Sequence, residues 1–592
     1  MDLSWIKYYP KGLMDKIIES STGIYGGLLR MVEKNPDYSA IEYSDETLSF
    51  RELRTAVDDA AVAFDSIGID KDSTVSVFVG GIPATVISAY ALDKIGSGIV
   101  FCYPDEKKQR IIEQIESTNT DTLIVSYDQY NYMNSFLGET KVKRIIVCSL
   151  YDFMSPGFAI RERFARSVEG NAEKKLQQNS RIPIYFWRSL VKRGGSDLDF
   201  LYDVRDHDDG RFIFTGGLAE REAKACMISG SAIDTFAEIT AFLSEPLKKQ
   251  LKRPARVLIL IDKCYVMGFV YGVHATLMNG NCACLFDKFN DTYRKGAISA
   301  IEPDVIIGFP SQISNMPNAK SLKNLNFSFL KEIVVCAAAL SAEARASVTE
   351  FLSRHGSKCR ILQIIGLGET IGSHYMLPEW VNDKSVGIPL PGVLSKVVDR
   401  NGMEELPVGQ TGDLAVCTPC IMNGYLGDES LTEKHMFKMK DGRLWFFPGI
   451  KGYCDENGMF YMRNDTVREY EIGGVFVDPV LVDSVICNVY GVEKCCTVTV
   501  DDPNGVSRLI VEVVPNERLL LDNDKLVDLK NDIEKECEMM LPKAMRPSDV
   551  EFRVYLPTRS DGEVDYKAML EQVYEERLER QKDSPSDNEE NV

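Results

Sequence analysis

From Leu48 to Arg354 the apolar residues alternate between two rhythms. Short runs rich in β-branched residues read as buried strands: Ser73–Gly80, Gly98–Phe101, Thr122–Val125, Val257–Ile261, Asn281–Leu285, Val305–Gly308 and Glu332–Cys336. Between them, apolar positions three and four apart mark helices with one buried face. These are Leu48–Ile67 after a strand end, a helix after Gly80 that runs to Lys94, Ile111–Thr120, Tyr265–Leu277 and Glu343–Arg354. Strands buried on both faces and separated by helices predict a parallel α/β sheet with crossover helices. Residues 151–209 are charged and mixed, break the alternation, and read as a surface insertion.

Beyond Val386 the texture changes. Gly387, Pro389, Pro391 and Gly392 punctuate short runs at Val397-Val398, Leu414–Val416, Leu444–Phe447 and Met459–Met462, which read as antiparallel strands. From Asp465 a smaller unit is expected, with helices Pro479–Val489 and Asp524–Met540 and strands at Cys496–Val500 and Leu509–Val514. Residues 575–592 are acidic and poor in apolar groups, the composition of a disordered tail. The expected fold class is α/β: a large N-terminal domain over 1–464, built of layered α/β subdomains plus a β-rich subdomain, then a small α+β C-terminal domain over 465–574.

Composition narrows the partners. With 44% hydrophobic and 26% charged residues, the chain has the balance of a soluble globular protein. A formal charge of −20 repels nucleic acid and anionic lipid. No run approaches the about 18 apolar residues of a transmembrane segment, and Met1–Pro10 lacks the pattern of a secretory signal, so the cytoplasm is the expected compartment. Fifteen scattered cysteines fit reduced thiols. Cys417 and Cys420 form a C-x-x-C without a second pair, so a metal or redox role there is the weaker reading. Cys495 and Cys496 read as core filling.

Several motifs in fixed order then point to a family. Leu48-Ser49-Phe50-Arg51-Glu52-Leu53 is similar to "T-Y-x-E-L", Val386–Gly392 to "S-V-G-x-P-x-P-G", and Gly409–Leu414 to "G-E-x-G-E-L". Met422-Asn423-Gly424-Tyr425 is similar to "M-x-G-Y", Gly452–Gly458 to "G-Y-x-D-E-x-G", and Gly473-Gly474 to the glycine pair of a lid domain. By these the chain resembles the AMP-forming acyl-adenylating superfamily of acyl-CoA synthetases, peptide-synthetase adenylation domains and luciferases. The resemblance implies ATP and magnesium as cofactors, a carboxylic acid as substrate, and a thiol of CoA or of a phosphopantetheine-bearing acyl-carrier protein as acceptor. It also implies that the small C-terminal domain is a mobile lid. The acyl pocket is then expected beside Tyr265–Leu277 and behind Cys336-Ala337-Ala338-Ala339, where the family usually has glycines.

Several residues that carry the family's ATP chemistry are replaced. In the phosphate loop, "T-S-G-T-T-G-x-P-K-G", Thr215, Gly217 and Lys224 match, but the central hydroxyls are Leu218 and Ala219, and Glu220 and Glu222 add negative charge. The segment is either a surface loop without a phosphate role or a shifted loop whose Lys224 reaches the phosphates. In "Y-G-x-T-E", Gly366 and Glu369 persist, with Thr370 following, while the adenine-stacking aromatic is Ile365 and the threonine is Gly368. Glu369 is either a magnesium-holding catalytic acid or a helix N-terminal acid. In "W-x-x-T-G-D" the ribose-binding aspartate is Ile450; in the hinge "G-R-x-x-D" the arginine is Asp465 and the pivot is Arg468. In "P-R-T-x-S-G-K" the transition-state lysine is Glu563, with Arg559 nearby in sequence. Glu369 and Lys224 are the catalytic candidates; Thr215, Gly217, Gly366 and Thr370 are the cofactor-binding candidates. Two readings follow: a relative in which adenylation is impaired or lost, or an active acyl-CoA or acyl-carrier ligase with a rearranged nucleotide site.

Overall fold

The computed structural model describes the chain apart from residues 1–2, 15–18, 103–107, 156, 158–180, 195–210, 215–224, 287–297, 381–384, 400–403, 464–469, 473–474, 478, 488, 502–506, 517–522, 542–545, 559–563 and 583–592. It divides into two compact units, one of residues 1–218, 222–448 and 453–461, the other of 219–221, 449–452 and 462–592. Among the described residues no helix is long and apolar enough to cross a membrane.

In the first unit a nine-stranded sheet runs in spatial order Ile388–Pro389, His374–Met376, Arg360–Ile365, Glu332–Ala337, Val305–Gly308, Arg256–Ile259, Cys282–Leu285, Ser39–Tyr43 and Glu46–Ser49. All neighbours from Arg360–Ile365 to Ser39–Tyr43 are parallel. An eight-stranded sheet runs Gly424–Tyr425, Cys226–Ile228, Phe212–Phe214, Gly98–Phe101, Thr74–Phe78, Thr122–Ser126, Arg144–Cys148 and Ile184–Phe186. Its first two pairings are antiparallel and the rest parallel. The strands Leu394–Asp399, Gly412–Cys417, Leu444–Phe446 and Met436–Lys438 form antiparallel pairs, as the turn-punctuated sequence beyond Val386 predicts.

Local chemistry sets the helix ends. Ser49 and Glu52 form a reciprocal capping box at the start of helix Phe50–Ser66. Helix Pro83–Ile95 opens on its proline and closes on left-handed Gly96, and every one of its residues is buried. Expected helix Tyr265–Leu277 is present, but Met267–Ala275 is wound as a π-helix. Its glycines let it press on the sheet: a Cβ on Gly272 would meet Ile259 Cγ2 at 2.7 Å. Helix Gly230–Leu251 was not anticipated. Its Ile233, Phe236, Leu243 and Leu247 hold helical spacing, but Asp234, Thr235 and Thr240 are buried among them and blur the apolar face.

The segment 151–209 is not wholly a surface insertion. Strand Ile184–Phe186 edges the eight-stranded sheet, and Trp187 is buried with its ring 5.8 Å from that of Phe64. Burial of an indole against the helix Phe50–Ser66 overrides the polar average of the region. At the chain start, Trp5 is buried with its ring 5.7 Å from that of Phe460, and Tyr9 donates its hydroxyl hydrogen to Pro389 O at 2.8 Å.

The second unit pairs Val492–Asp501 antiparallel with Ser507–Pro515, and the latter parallel with Asp549–Phe552. Helices Pro479–Cys487 and Asn523–Met540 supply Val482, Ile486, Leu529 and Ile533 to its core. Helix Tyr566–Lys582 supplies Met569 and Val573, and it continues past Glu575, where a disordered tail is expected to begin. Ion pairs hold it there: Arg553 forks onto Glu576 at 2.8 Å and also reaches Glu512 at 2.6 Å.

Two strained or desolvated positions stand out in the first unit. Asp93 is buried where helices Ile24–Lys34 and Gly230–Leu251 both begin. It accepts from Tyr25 N at 2.8 Å, and a Cβ on Gly23 or Gly230 would lie 2.5 or 2.8 Å from its oxygens. Burial dominates over the two helix N-termini and pushes its carboxyl up to about 7. Ala337 ends its strand at φ +77°, a conformation that favours glycine.

Because the folded-state pKa of Asp93 exceeds the unfolded value, the folded protein holds an extra proton between about pH 4 and pH 7, and stability from this group is lost as pH rises through that window. Asp93→Asn keeps an acceptor and cannot ionise. Its stability relative to the parent should rise by on the order of 2 kcal/mol between pH 5 and pH 8; parallel unfolding profiles for the two proteins would refute the buried acid. Ala337→Gly should relieve left-handed strain and raise stability by about 1 kcal/mol, read as a higher melting temperature.

Candidate functional site

The strand Arg360–Ile365 ends in a turn that has no room for a side chain at its first residue. A Cβ on Gly366 would lie 2.2 Å from Ile371 O and 2.4 Å from Gly372 Cα. The chain doubles back there, with Ser373 N donating to Ile365 O at 2.8 Å and His374 pairing opposite Ile365. Ile371 holds φ +61°, a costly conformation for a β-branched residue. The strand His374–Met376 follows the turn, so Glu369 does not open a helix, and the helix N-terminal reading of this acid falls.

The turn carries Glu369 and Thr370 inward, to 3% and 1% exposure. Glu369 Oε1 accepts from the Tyr425 hydroxyl at 2.8 Å, and its carbonyl oxygen accepts from Met422 N at 2.8 Å. Glu369 Oε2 and Thr370 Oγ1 are buried without a hydrogen-bond partner among the described residues. A half-satisfied buried carboxylate is costly alone, and its open oxygen is of the hard type that magnesium takes. Glu369 therefore fits the role of a magnesium ligand, with Thr370 beside it.

Tyr425 reaches Glu369 because the short strand Gly424–Tyr425 is pinned from both sides. Tyr425 pairs opposite Cys226, and Leu426 N donates to Ala225 O at 2.8 Å. On the other side Tyr425 N donates to Thr432 Oγ1 at 2.9 Å. The loop with Thr215, Gly217 and Lys224 lies outside the described residues, but the residues that bracket it do not: Phe214 pairs with Cys226, and Ala225 bonds to Leu426. Phe214 and Ala225 thus lie on the same edge of the eight-stranded sheet as Tyr425.

The segment 445–447 is anchored at the same place. His435 Nδ1 donates to Phe447 O at 2.7 Å, and its ring lies 6.1 Å from that of Tyr425. His435 Nε2 is a buried ring nitrogen without a partner among the described residues. Ile450 is half-buried and offers no acceptor where the resembled motif has aspartate. Ile365 is buried at the end of its strand. Ala337 pairs opposite Ile365, which sets the turn of Cys336–Ala339 beside that of Glu369. His374 is fully enclosed, and burial lowers its pKa to about 3, so it stays neutral and does not serve as a proton carrier. Asp465, Arg468, Arg559 and Glu563 lie outside the described residues. The contact of Tyr425 and the position of His435 escape sequence reasoning: the first sits in a matched motif that carries no stated role, and the second has no motif.

Known proteins resemble the chain over nearly its whole length. The chain is 21% identical over 574 residues to the long-chain-fatty-acid–CoA ligase of Bacillus subtilis (strain 168), covering 96% of this chain and 98% of that protein. Among solved structures, an anthranilate CoA ligase in complex with anthranoyl-AMP superposes with a TM-score of 0.74 at 16% identity, covering 96% of this chain and 98% of that one. ATP-bound MatB from Rhodopseudomonas palustris gives 0.75 at 16% identity over 93% of this chain and 99% of its own. The two superpositions establish a shared fold, with a large N-terminal and a smaller C-terminal domain. The model of the AMP-binding enzyme family matches residues 28–426, more than half the length, and the chain belongs to that family.

Proposed function

We propose that this chain is an AMP-dependent synthetase-like protein in which activation of a carboxylate to acyl-AMP is impaired or lost. The observation that carries the reading is the reversal of charge at position 563, where the resembled motif puts a lysine and the chain has Glu563. Removing one preorganised donor from such a site costs roughly 10²–10³ in rate, and an anion in its place costs more. The loss at Ile450 adds to this, since bound ribose hydroxyls would face hydrocarbon, at about 1–3 kcal/mol. The substrate class that the relatives' names suggest is a carboxylic acid, with CoA or an acyl-carrier thiol as acceptor.

The residues that remain have defined tasks in this reading. Tyr425 fixes the rotamer of Glu369 and spends one carboxylate oxygen, leaving Oε2 to hold magnesium. Magnesium, when bound, neutralises charge on the phosphates of ATP. The loop bracketed by Phe214 and Ala225 has lost its central hydroxyls and gained Glu220 and Glu222, so it meets triphosphate with repulsion rather than with a cradle. A second reading, an active acyl-CoA or acyl-carrier ligase with a rearranged site, is favoured by the open Oε2 of Glu369 and by Lys224 in the loop.

The two are separated by carboxylate-dependent exchange of pyrophosphate into ATP across a panel of aliphatic, aryl and amino acids. The parent should show none, and Glu563→Lys should gain measurable exchange if the rest of the site is intact. Robust exchange by the parent with any acid decides for the second reading. Glu369 should also act as a scaffold acid. Tyr425→Phe strips the hydrogen bond from a buried carboxylate and should lower stability by about 2 kcal/mol. Adding Glu369→Gln to that variant should restore most of the loss; a double variant no more stable than the single one would remove Glu369 from this role.

A further inference from the structure

The second unit holds a thiol pair that neither the family match nor the nucleotide motifs explain. Cys487 is the last residue of helix Pro479–Cys487 and is the one exposed cysteine of the fifteen. Cys495 lies on strand Val492–Asp501 and is buried. Their sulfurs are 3.3 Å apart. The approach is enforced by the docking of helix on strand: Asp483, one turn before Cys487, accepts from Thr497 N at 2.7 Å and draws the Cys495 thiol to its carbonyl oxygen at 3.4 Å. Val482 and Ile486 on the same helix pack with Cys495 in one apolar cluster, so the helix cannot drift from the strand without opening the core.

The two sulfurs are chemically unequal. The contact between the two sulfurs holds the Cys487 thiol below its ordinary value, while the same contact and burial push the Cys495 thiol up. The exposed sulfur is thus the better nucleophile at neutral pH, and the buried one is its nearest thiol neighbour. Cys496, adjacent in sequence, points into the other apolar cluster of the unit with Val498 and Met569 and takes no part. Cys282 and Cys284 are also close to each other, but both are buried and Arg256 already occupies their neighbour Glu42 at 3.0 Å.

We propose that Cys487 and Cys495 are a peroxide-responsive pair that closes reversibly to a disulfide, a modification independent of whether the chain adenylates. The Cys487 thiolate attacks one oxygen of hydrogen peroxide, the O–O bond breaks, hydroxide leaves and takes up a proton as water, and Cys487 becomes a sulfenic acid. The Cys495 thiol then attacks the sulfenic sulfur, the S–O bond breaks, and a second water leaves. Two thiols are oxidised, one peroxide is reduced to two waters, and a small-molecule dithiol reverses the change. Closure needs the sulfurs to approach by about 1.3 Å, to the length of an S–S bond. The disulfide would tie the end of the helix to the sheet.

The test is made on the full folded chain treated with micromolar hydrogen peroxide, then unfolded, alkylated with N-ethylmaleimide and weighed intact. The parent should lose two of its fifteen alkylatable thiols, and peptide mapping should find the link between Cys487 and Cys495, reversed by dithiothreitol. Cys487→Ser, at an exposed position, should form no disulfide and leave Cys495 alkylatable. Cys495→Ser should accumulate a sulfenic acid at Cys487 that dimedone traps, at least ten times faster than at any other cysteine. Full alkylation of the treated parent, oxidation of Cys487 to the sulfinic acid without a link, or a disulfide between other cysteines would each overturn the proposal. Because Cys487→Ser alone separates the outcomes, failure of the buried variant to fold does not rescue it.

Discussion

The hydrogen bond from Tyr425 to Glu369 ties together two sheets that share no strand. Glu369 hangs from the turn at the end of the nine-stranded sheet, and Tyr425 belongs to the edge of the eight-stranded one. The Met422 amide and the Glu369 carbonyl reinforce the same junction. A carboxylate buried at such a seam cannot be deleted cheaply, because its phenolic partner and the turn around Gly366 are built to receive it. This separates the fate of Glu369 from that of the nucleotide chemistry. Glu369 thus has an architectural reason to be there that does not depend on any ligand.

Elsewhere the first unit tolerates buried charge where hydrogen-bonding side chains and a cation are at hand. Asp234 is fully enclosed. Burial pushes its carboxyl up, but the hydrogen bond to His274, the charge of Arg30 and the hydroxyl of Ser20 bring it below the usual range. Asp93 lacks a cation, has only backbone donors, and is pushed the other way. Side-chain hydrogen bonds and a cation bring Asp234 down, while Asp93, with backbone donors and the negative charge of Asp234 nearby, stays up.

Much of the architecture was legible because parallel strands are nearly all apolar and helices keep their stripe. The strands Gly98–Phe101, Val305–Gly308 and Glu332–Ala337 follow from composition alone. Helix Gly230–Leu251 did not, since its buried Asp234 finds its partners, His274 and Arg30, only in three dimensions. The strand and Trp187 inside 151–209 were hidden by the charged sequence on either side of them. The π winding of Met267–Ala275 has no signature in apolar spacing. At the site, Gly366 and Glu369 stand out by motif. The bond that orients Glu369 spans 56 positions and leaves no local trace.

The anchoring of the chain start has a consequence for biogenesis. Trp5 packs against Phe460, and Tyr9 bonds to Pro389. A ribosome adding about 5–20 residues per second needs roughly 20–90 s to reach Phe460 after making Trp5. Throughout that interval an aromatic segment waits in solvent while helices and sheets behind it assemble. Docking of Trp5 on Phe460 can therefore come only after the strands between them have been made.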